Sequence, residues 1–334
     1  MGQQHYETSL QRALRQREGD GWVFSARRVT SLRSRERGGV RLPLRALAAT
    51  PRIATGAVCQ LAYGRARLVH RFDLRLPPRL GREVVTVHDL PPLRFQDEGR
   101  LPPQALASAR SAVGVICPSQ FAADEVRNLL APRRIWVVPY GVSEELVLAA
   151  PVAASELAHS GIHGRFVLHA AGATTRKNLD ALAPAWRRVA ARCTDTTLVL
   201  CGPPHPRRDR LFAGIPRTRY LGHLEPAAVA RLMRSAAAVV VPSLYEGFGM
   251  PALEGMACGV PVVAADRGAL PEVCGTAALL VPATENGIAE GLVEVLTNEA
   301  RAASLRARGL ERAATFTWSS AADATLAVYE EALA

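Results

Sequence analysis

Short apolar, β-branched runs alternate with longer amphipathic stretches through the second half of the chain. Phe166 to His169, Thr197 to Cys201, Ala237 to Val241, Pro261 to Ala264 and Ala278 to Val281 read as buried strands, with Tyr220 to Leu221 as a shorter one. Helix-like segments fall between them, including Leu179 to Arg192 and Glu225 to Arg234, where Pro226 suits a first helical turn. This alternation predicts a doubly wound α/β domain, a parallel sheet with helices on both faces. The first half follows the same pattern less regularly. Val84 to Leu90 reads as a buried strand ending in polar residues, Gly114 to Pro118 as another, Ser119 as the cap of a helix, and Ile135 to Gly141 as a closing strand. The helix-like stretch Tyr6 to Gln16 comes almost at once, where a Rossmann-like domain would open with a buried strand. The expectation is that a first strand is missing and the start is late. Arg27 to Arg45 reads as a mobile surface loop, and Arg65 to Arg82 suggests no element.

At 334 residues and 49% hydrophobic, the chain exceeds one ordinary domain and suggests two of about 150 residues, each with its own core. The boundary is expected near 145–164, a hinge with Pro151, Gly161 and Gly164, giving domains at 1–148 and 165–318. No run approaches the roughly 18 apolar residues of a membrane span, and the polar start lacks a signal-peptide core, so a cytoplasmic protein is expected. The six cysteines contain no C-x-x-C pair and read as small buried hydrophobes, neither a disulfide frame nor a metal site.

Charge adds a polarity between the halves. Residues 1–150 hold 23 arginines against 13 acidic residues, while 151–334 hold 18 basic and 17 acidic. A basic half beside a neutral one suits docking on anionic lipid head groups at the inner membrane face, or an acidic or diphosphate-linked acceptor; a generally arginine-rich surface is the plainer alternative. Nucleic acid is not expected, because no recognition motif accompanies the arginines and aromatics make up 5% of the chain.

Two strand-end loops carry the candidate chemistry. In the first, the run Ala237 to Val241 leads into Pro242-Ser243-Leu244-Tyr245-Glu246-Gly247-Phe248-Gly249-Met250-Pro251 and then a helix carrying Glu254. The glycines admit close backbone approach, and the positive end of the helix favours a phosphate. Glu246 precedes the helix and can reach a ligand's reactive end; Glu254, about a turn inside, can accept two hydrogen bonds from a vicinal diol such as a ribose. In the second, Gly172-Ala173-Thr174-Thr175-Arg176-Lys177-Asn178 again joins a strand to a helix. Lys177 is the one lysine among 41 basic residues, a compact ammonium that fits between phosphates more readily than a planar guanidinium.

These residues resemble glycosyltransferase family 4, the retaining nucleotide-sugar-dependent transferases of the GT-B fold, whose Glu-x7-Glu signature matches Glu246 and Glu254. The similarity continues through Met256 to Val263, Leu270-Pro271-Glu272-Val273, Ala277 to Val281 and Leu221-Gly222-His223, most of the C-terminal half. It implies two Rossmann-like doubly wound domains facing a central cleft, the first binding acceptor and the second donor. Phe316-Thr317-Trp318 resembles the motif before a last helix that crosses back to the first domain, here 319–334. The family's Arg-Lys-Asn motif matches Arg176, Lys177 and Asn178, with the basic pair on the donor diphosphate; many relatives carry a further arginine where this chain has Ala173.

The resemblance also implies roles for single residues. His88, in the family's His-Asp-Leu, would lie beside the transferred sugar, with Asp89 orienting or capping. Glu246 would bind sugar hydroxyls rather than act as a covalent nucleophile. Gly172, Gly247, Phe248, Gly249 and Met250 join Asn178 and Glu254 as donor-binding residues, and Gly2, Gln4, His5 and Tyr6 are acceptor-side candidates. No divalent metal or other cofactor is implied. The motif set is most similar to the mannosyltransferase-like branch, which implies GDP-mannose as donor and a glycan or lipid-linked acceptor in polysaccharide biosynthesis. A UDP-sugar-dependent transferase, a nucleotide-sugar epimerase and an inactive transferase-like binding protein are the alternatives.

Overall fold

The computed structural model describes residues 2–19, 21–32, 39–43, 63–76, 78–79 and 81–334, with side chains omitted for 2–5 and 103–104. The chain divides into two compact units, Met1–Gly141 with Trp318–Ala334, and Val142–Thr317. Among the described residues no helix is long and apolar enough to cross a membrane.

The first unit opens with helix α1 (Gly2–Arg15), whose buried face is Tyr6, Leu10, Ala13 and Leu14 at helical spacing. Two short parallel strands follow, β1 (Val29–Ser31) and β2 (Val40–Leu42). They correct the reading of Arg27 to Arg45 as wholly a loop: Val29 pairs with Val40 across the arginine-rich stretch, and residues 33–38 and 44–62, Cys59 included, lie outside the described set. A four-stranded parallel sheet runs in the order β3 (Val69–Arg71), β4 (Glu83–Thr86), β5 (Gly114–Cys117), β6 (Ile135–Val137). Strand β3 falls in the stretch where the sequence suggested nothing, because its pattern, Val-His-Arg, is polar at two of three positions although all but the histidine are buried. Strand β4 stops at Thr86, so His88 lies in the segment after the strand rather than within it. Helices α2 (Pro103–Ser111) and α3 (Gln120–Leu130) pack on this sheet, and Ser119 caps α3 by accepting from the Ala122 amide at 3.1 Å.

The second unit begins with two short helices, α4 (Glu144–Val147) and α5 (Ala154–His159), in the stretch expected to act as a hinge. Its six-stranded sheet is parallel throughout, in the order β12-β11-β10-β7-β8-β9, from β7 (Arg165–Ala170), β8 (Thr196–Cys201), β9 (Thr218–Tyr220), β10 (Ala238–Val241), β11 (Val262–Ala265) and β12 (Leu279–Val281). The intervening helices are α6 (Leu179–Arg192), α7 (Pro206–Phe212), α8 (Pro226–Ser235), α9 (Met250–Ala257), α10 (Leu270–Cys274), α11 (Glu285–Thr297) and α12 (Glu299–Ala314). One core centres on Trp186, fully buried, among Leu179, Leu182, Leu198, Leu200, Ile288 and Leu292. The last helix, α13 (Trp318–Leu333), belongs to the first unit, where it packs on α1.

Topology places the functional ends. The chain builds outward from β7 through β8 to β9, then returns to start β10 on the other side of β7. Strand order therefore reverses between β7 and β10, and ligands of open α/β sheets bind outside the carboxyl ends of the strands at such a point. The loops leaving these two strands are those singled out by their chemistry.

Candidate active site

In the second unit the two loops are bound to one another. Asn178, in the left-handed conformation (φ 56°), ends a 3₁₀ turn Thr175–Lys177 and starts α6. Its side-chain amide donates to the carbonyls of Pro242, at 2.9 Å, and Ala283, at 3.1 Å, tying together the loops after β7, β10 and β12. The Leu244 amide donates to the Arg176 carbonyl at 2.8 Å. A buried polar group retains its partners because losing them costs desolvation, so these bonds hold the register of the loops.

Their side chains meet at Glu246. The Lys177 ammonium donates to Oε1 at 2.6 Å, Ser243 Oγ donates to the same oxygen at 2.7 Å, and Arg176 donates to Oε2 at 3.2 Å. Lys177 is 7% exposed and Glu246 6%. Burial opposes the Glu246 charge, but Lys177 and Arg176 outweigh it, with the bonds from Lys177 and Ser243, and hold the carboxyl below its usual range. Two cations against one carboxylate leave this cluster net positive at the head of the sheet. A third cation adds to it: Arg208 of α7, 1% exposed, donates to the carbonyls of Ala171 and Pro203 at 2.7 Å each, and among the described residues no carboxylate pairs with it. Sequence reasoning missed Arg208, one arginine among forty, and Ser243, whose three-residue spacing from Glu246 was the available signal.

The glycines divide by role. Gly249 (φ 102°) precedes α9, where an added Cβ would lie 2.7 Å from the Leu270 side chain, and Gly247, Phe248 and Gly249 are buried. Gly268 (φ 61°) was not singled out by sequence, yet an added Cβ there would come within 2.8 Å of both the amide nitrogen and the carbonyl oxygen of Glu246. Backbone cannot yield as a flexible side chain can. Gly268→Ala is expected to destabilise the chain by about 1–3 kcal/mol and to lower kcat/KM on the order of 10²-fold by displacing Glu246. Gly309→Ala, in α12, is the control, since a methyl there makes only ordinary contact with Met256 at 3.4 Å and Gly309 has no left-handed φ. Thermal melts and steady-state kinetics of the pair check this; equal behaviour would detach Gly268 from the site.

Glu254, the fifth residue of α9, is half-buried, and burial pushes its carboxyl up to about 7. A carboxyl that shifts between both forms near neutrality can accept from a hydroxyl or donate to one. Met250 is half-buried at the helix start. Ala173 is 2% exposed and packs in the core around Trp186.

The first unit holds His88 in a buried aromatic group. Its Nε2 lies 3.1 Å from the Phe72 carbonyl, which can only accept, so Nε2 carries the proton and Nδ1 accepts from the Tyr140 hydroxyl. Burial pushes the imidazole down to about 4. Tyr6 is 2% exposed and packs edge-on against the His88 ring at 4.8 Å between centroids. The Tyr6 hydroxyl lies 3.3 Å from Thr86 Oγ1, which also contacts His70 Nε2 at 2.7 Å, and His70 Nδ1 contacts the Tyr329 hydroxyl at 2.7 Å. Of the acceptor-side candidates, Tyr6 is thus a buried packing residue; Gly2, Gln4 and His5 lie in α1, and their side chains fall outside the described set.

Among the described residues no group of three His, Cys, Asp or Glu is arranged to hold a metal ion. The five described cysteines, 117, 193, 201, 258 and 274, are free and buried.

Residues 164–298 match the family model for glycosyl transferases group 1. The chain is 29% identical over 285 residues to O-antigen chain mannosyltransferase B of Escherichia coli, covering 79% of this chain and 74% of that protein. It is 33% identical over 237 residues to the MMP alpha-(1->4)-mannosyltransferase of Mycolicibacterium hassiacum, covering 68% of this chain but 56% of the relative. The fold is shared with sucrose-phosphate synthase from Thermosynechococcus elongatus, at TM-score 0.69 and 24% identity over 87% of this chain and 80% of that one. The matched segment, which spans both strand-end loops, is a glycosyl transferases group 1 domain, within an α/β fold of the GT-B type.

Proposed function

We propose that this glycosyltransferase moves mannose from GDP-mannose, with retention of configuration, onto a glycan or lipid-linked acceptor. The observation that carries the reading is the convergence of Lys177 and Arg176 on Glu246 at the reversal of strand order, beside the positive end of α9. In the reaction the bond from the sugar's anomeric carbon to the diphosphate breaks, and a bond to the acceptor oxygen forms. The acceptor's proton passes to the departing phosphate on the same face. Negative charge gathers on phosphate oxygens, where Lys177, Arg176 and the start of α9 stabilise it. Glu246 exchanges part of its internal hydrogen bonding for the sugar's hydroxyls, and Glu254 takes the ribose diol. Mannose is favoured by the relatives, both of which are named mannosyltransferases. The 23 arginines of the first 150 residues support an acceptor presented at an anionic membrane surface, with the protein peripheral there.

Calorimetric titration with GDP, UDP, GDP-mannose and UDP-glucose tests the donor. Binding of the guanosine compounds at least tenfold tighter than the uridine ones is expected; the reverse preference would keep the transferase and overturn mannose.

A further inference from the structure

His169 stands outside every role assigned so far. It is the next-to-last residue of β7, and it faces Leu200 of β8 in register. By the two-residue alternation of a strand it shares the sheet face of Val167, which packs in the core with Leu179 and Leu182 of α6. The helix covering that face is the one opened by the 3₁₀ turn that carries Lys177. The imidazole is 2% exposed. Its Nδ1 lies 3.1 Å from the Val240 carbonyl, an acceptor only, so Nδ1 holds the proton. Nε2 is then a bare acceptor, buried and without a partner among the described residues. Burial pushes the ring down to about 4, and the charged groups acting on it are Lys177, Arg208 and Glu246.

The complementary surplus lies on Lys177. Its ammonium has three N–H donors and a hydrogen bond to one acceptor, Glu246 Oε1. An unused buried donor and an unused buried acceptor, the one in the turn that opens α6 and the other on the sheet face beneath that helix, are each costly alone and cancel when joined.

We propose that His169 is a positioning residue for Lys177: its Nε2 accepts a hydrogen bond from the ammonium, through one water where the two do not touch. This holds the ammonium in place when Glu246 turns toward the sugar, so Lys177 keeps its position on the leaving phosphate. The inference rests on the donor-site reading above only for that last consequence.

Two substitutions separate the ring's nitrogens. His169→Gln can place an acceptor where Nε2 stood while giving up the bond to Val240; His169→Asn can keep a donor to Val240 and gives up the acceptor at Nε2. Because Lys177 is the only lysine, full-length protein labelled with 15N at lysine Nζ shows a single ammonium signal by NMR. His169→Asn is expected to speed hydrogen exchange of that ammonium severalfold and to weaken GDP or UDP, whichever the wild type binds, roughly tenfold. His169→Gln is expected to stay within about threefold of wild type in both, even though it melts lower. An ammonium signal unchanged in His169→Asn, or a loss in Gln with none in Asn, would overturn the proposal and leave His169 as a strand-packing residue. If wild type binds neither nucleotide while the ammonium still responds to His169→Asn, the donor reading fails and the positioning contact stands.

Discussion

Lys177→Ala lowers kcat/KM for the nucleotide-sugar by roughly 10²–10³-fold, the loss typical of removing one preorganised donor from a charge that develops in the transition state. The ammonium sits 2.6 Å from Glu246 on a side chain that is 7% exposed, where solvent screens its charge weakly and its loss counts for more. Its removal also leaves Glu246 held by Arg176 and Ser243 alone. Lys177→Arg is expected to recover little of the loss. A planar fork needs room and two acceptors in its plane, whereas the native contact is a point charge on one oxygen also taken by Ser243. Steady-state kinetics on the wild type and both variants check this, with far-UV circular dichroism to show that each is folded. Less than a tenfold effect in the alanine variant would remove Lys177 from the leaving-group site.

The largest effect on stability is expected at Arg71, far along the chain from that chemistry. Arg71 is 1% exposed and grips Glu83, 0% exposed, through Nε and Nη2, each at 3.0 Å. It also donates to the Leu76 carbonyl at 2.6 Å and to Ser108 Oγ at 3.1 Å. Glu83 takes a further bond from the Arg79 amide at 2.9 Å. The pair therefore stitches β3, β4, α2 and the connection between the two strands. Arg71→Met leaves the buried Glu83 carboxylate without the cation bonded to it, and it should cost the first unit about 3–5 kcal/mol. Replacing both partners, as Arg71→Met with Glu83→Gln, should recover much of this, since the penalty lies in the stranded charge more than in the pair lost. Hydrogen exchange of the β3 and β4 amides reads the unit by itself, which a single melt of a two-unit chain does not. Protection unchanged in Arg71→Met would mean that the pair is incidental to the fold.

The second unit was largely legible in the sequence because its strands are continuous apolar runs and its chemistry lies in the loops between them. The strands around Val167, Val199, Val240 and Val263 all appear within a residue or two of their expected bounds. Glu246 and Lys177 were singled out by spacing and rarity, and they meet. The first unit was harder for a physical reason. Arg71, buried against Glu83 on β3, makes that strand look polar, and β1 and β2 are hidden among exposed arginines. The polar and aromatic group of Tyr6, His70, Thr86, His88, Tyr140 and Tyr329 joins residues as far as 259 positions apart, so no local pattern announces it. In the sequence His169 is only the end of a buried strand, since a buried imidazole with one nitrogen bonded cannot be told from packing until the other nitrogen's surroundings are known. Gly268 could be recognised only from the Glu246 backbone lying against it.

The most direct test of the donor site is a crystal structure of the full chain grown with GDP. The diphosphate is expected on Lys177 and Arg176 at the start of α9, with the ribose hydroxyls on Glu254 and Glu246 released from at least one of its internal bonds. A nucleotide bound elsewhere, with Lys177, Ser243 and Arg176 still closed on Glu246, would contradict the account.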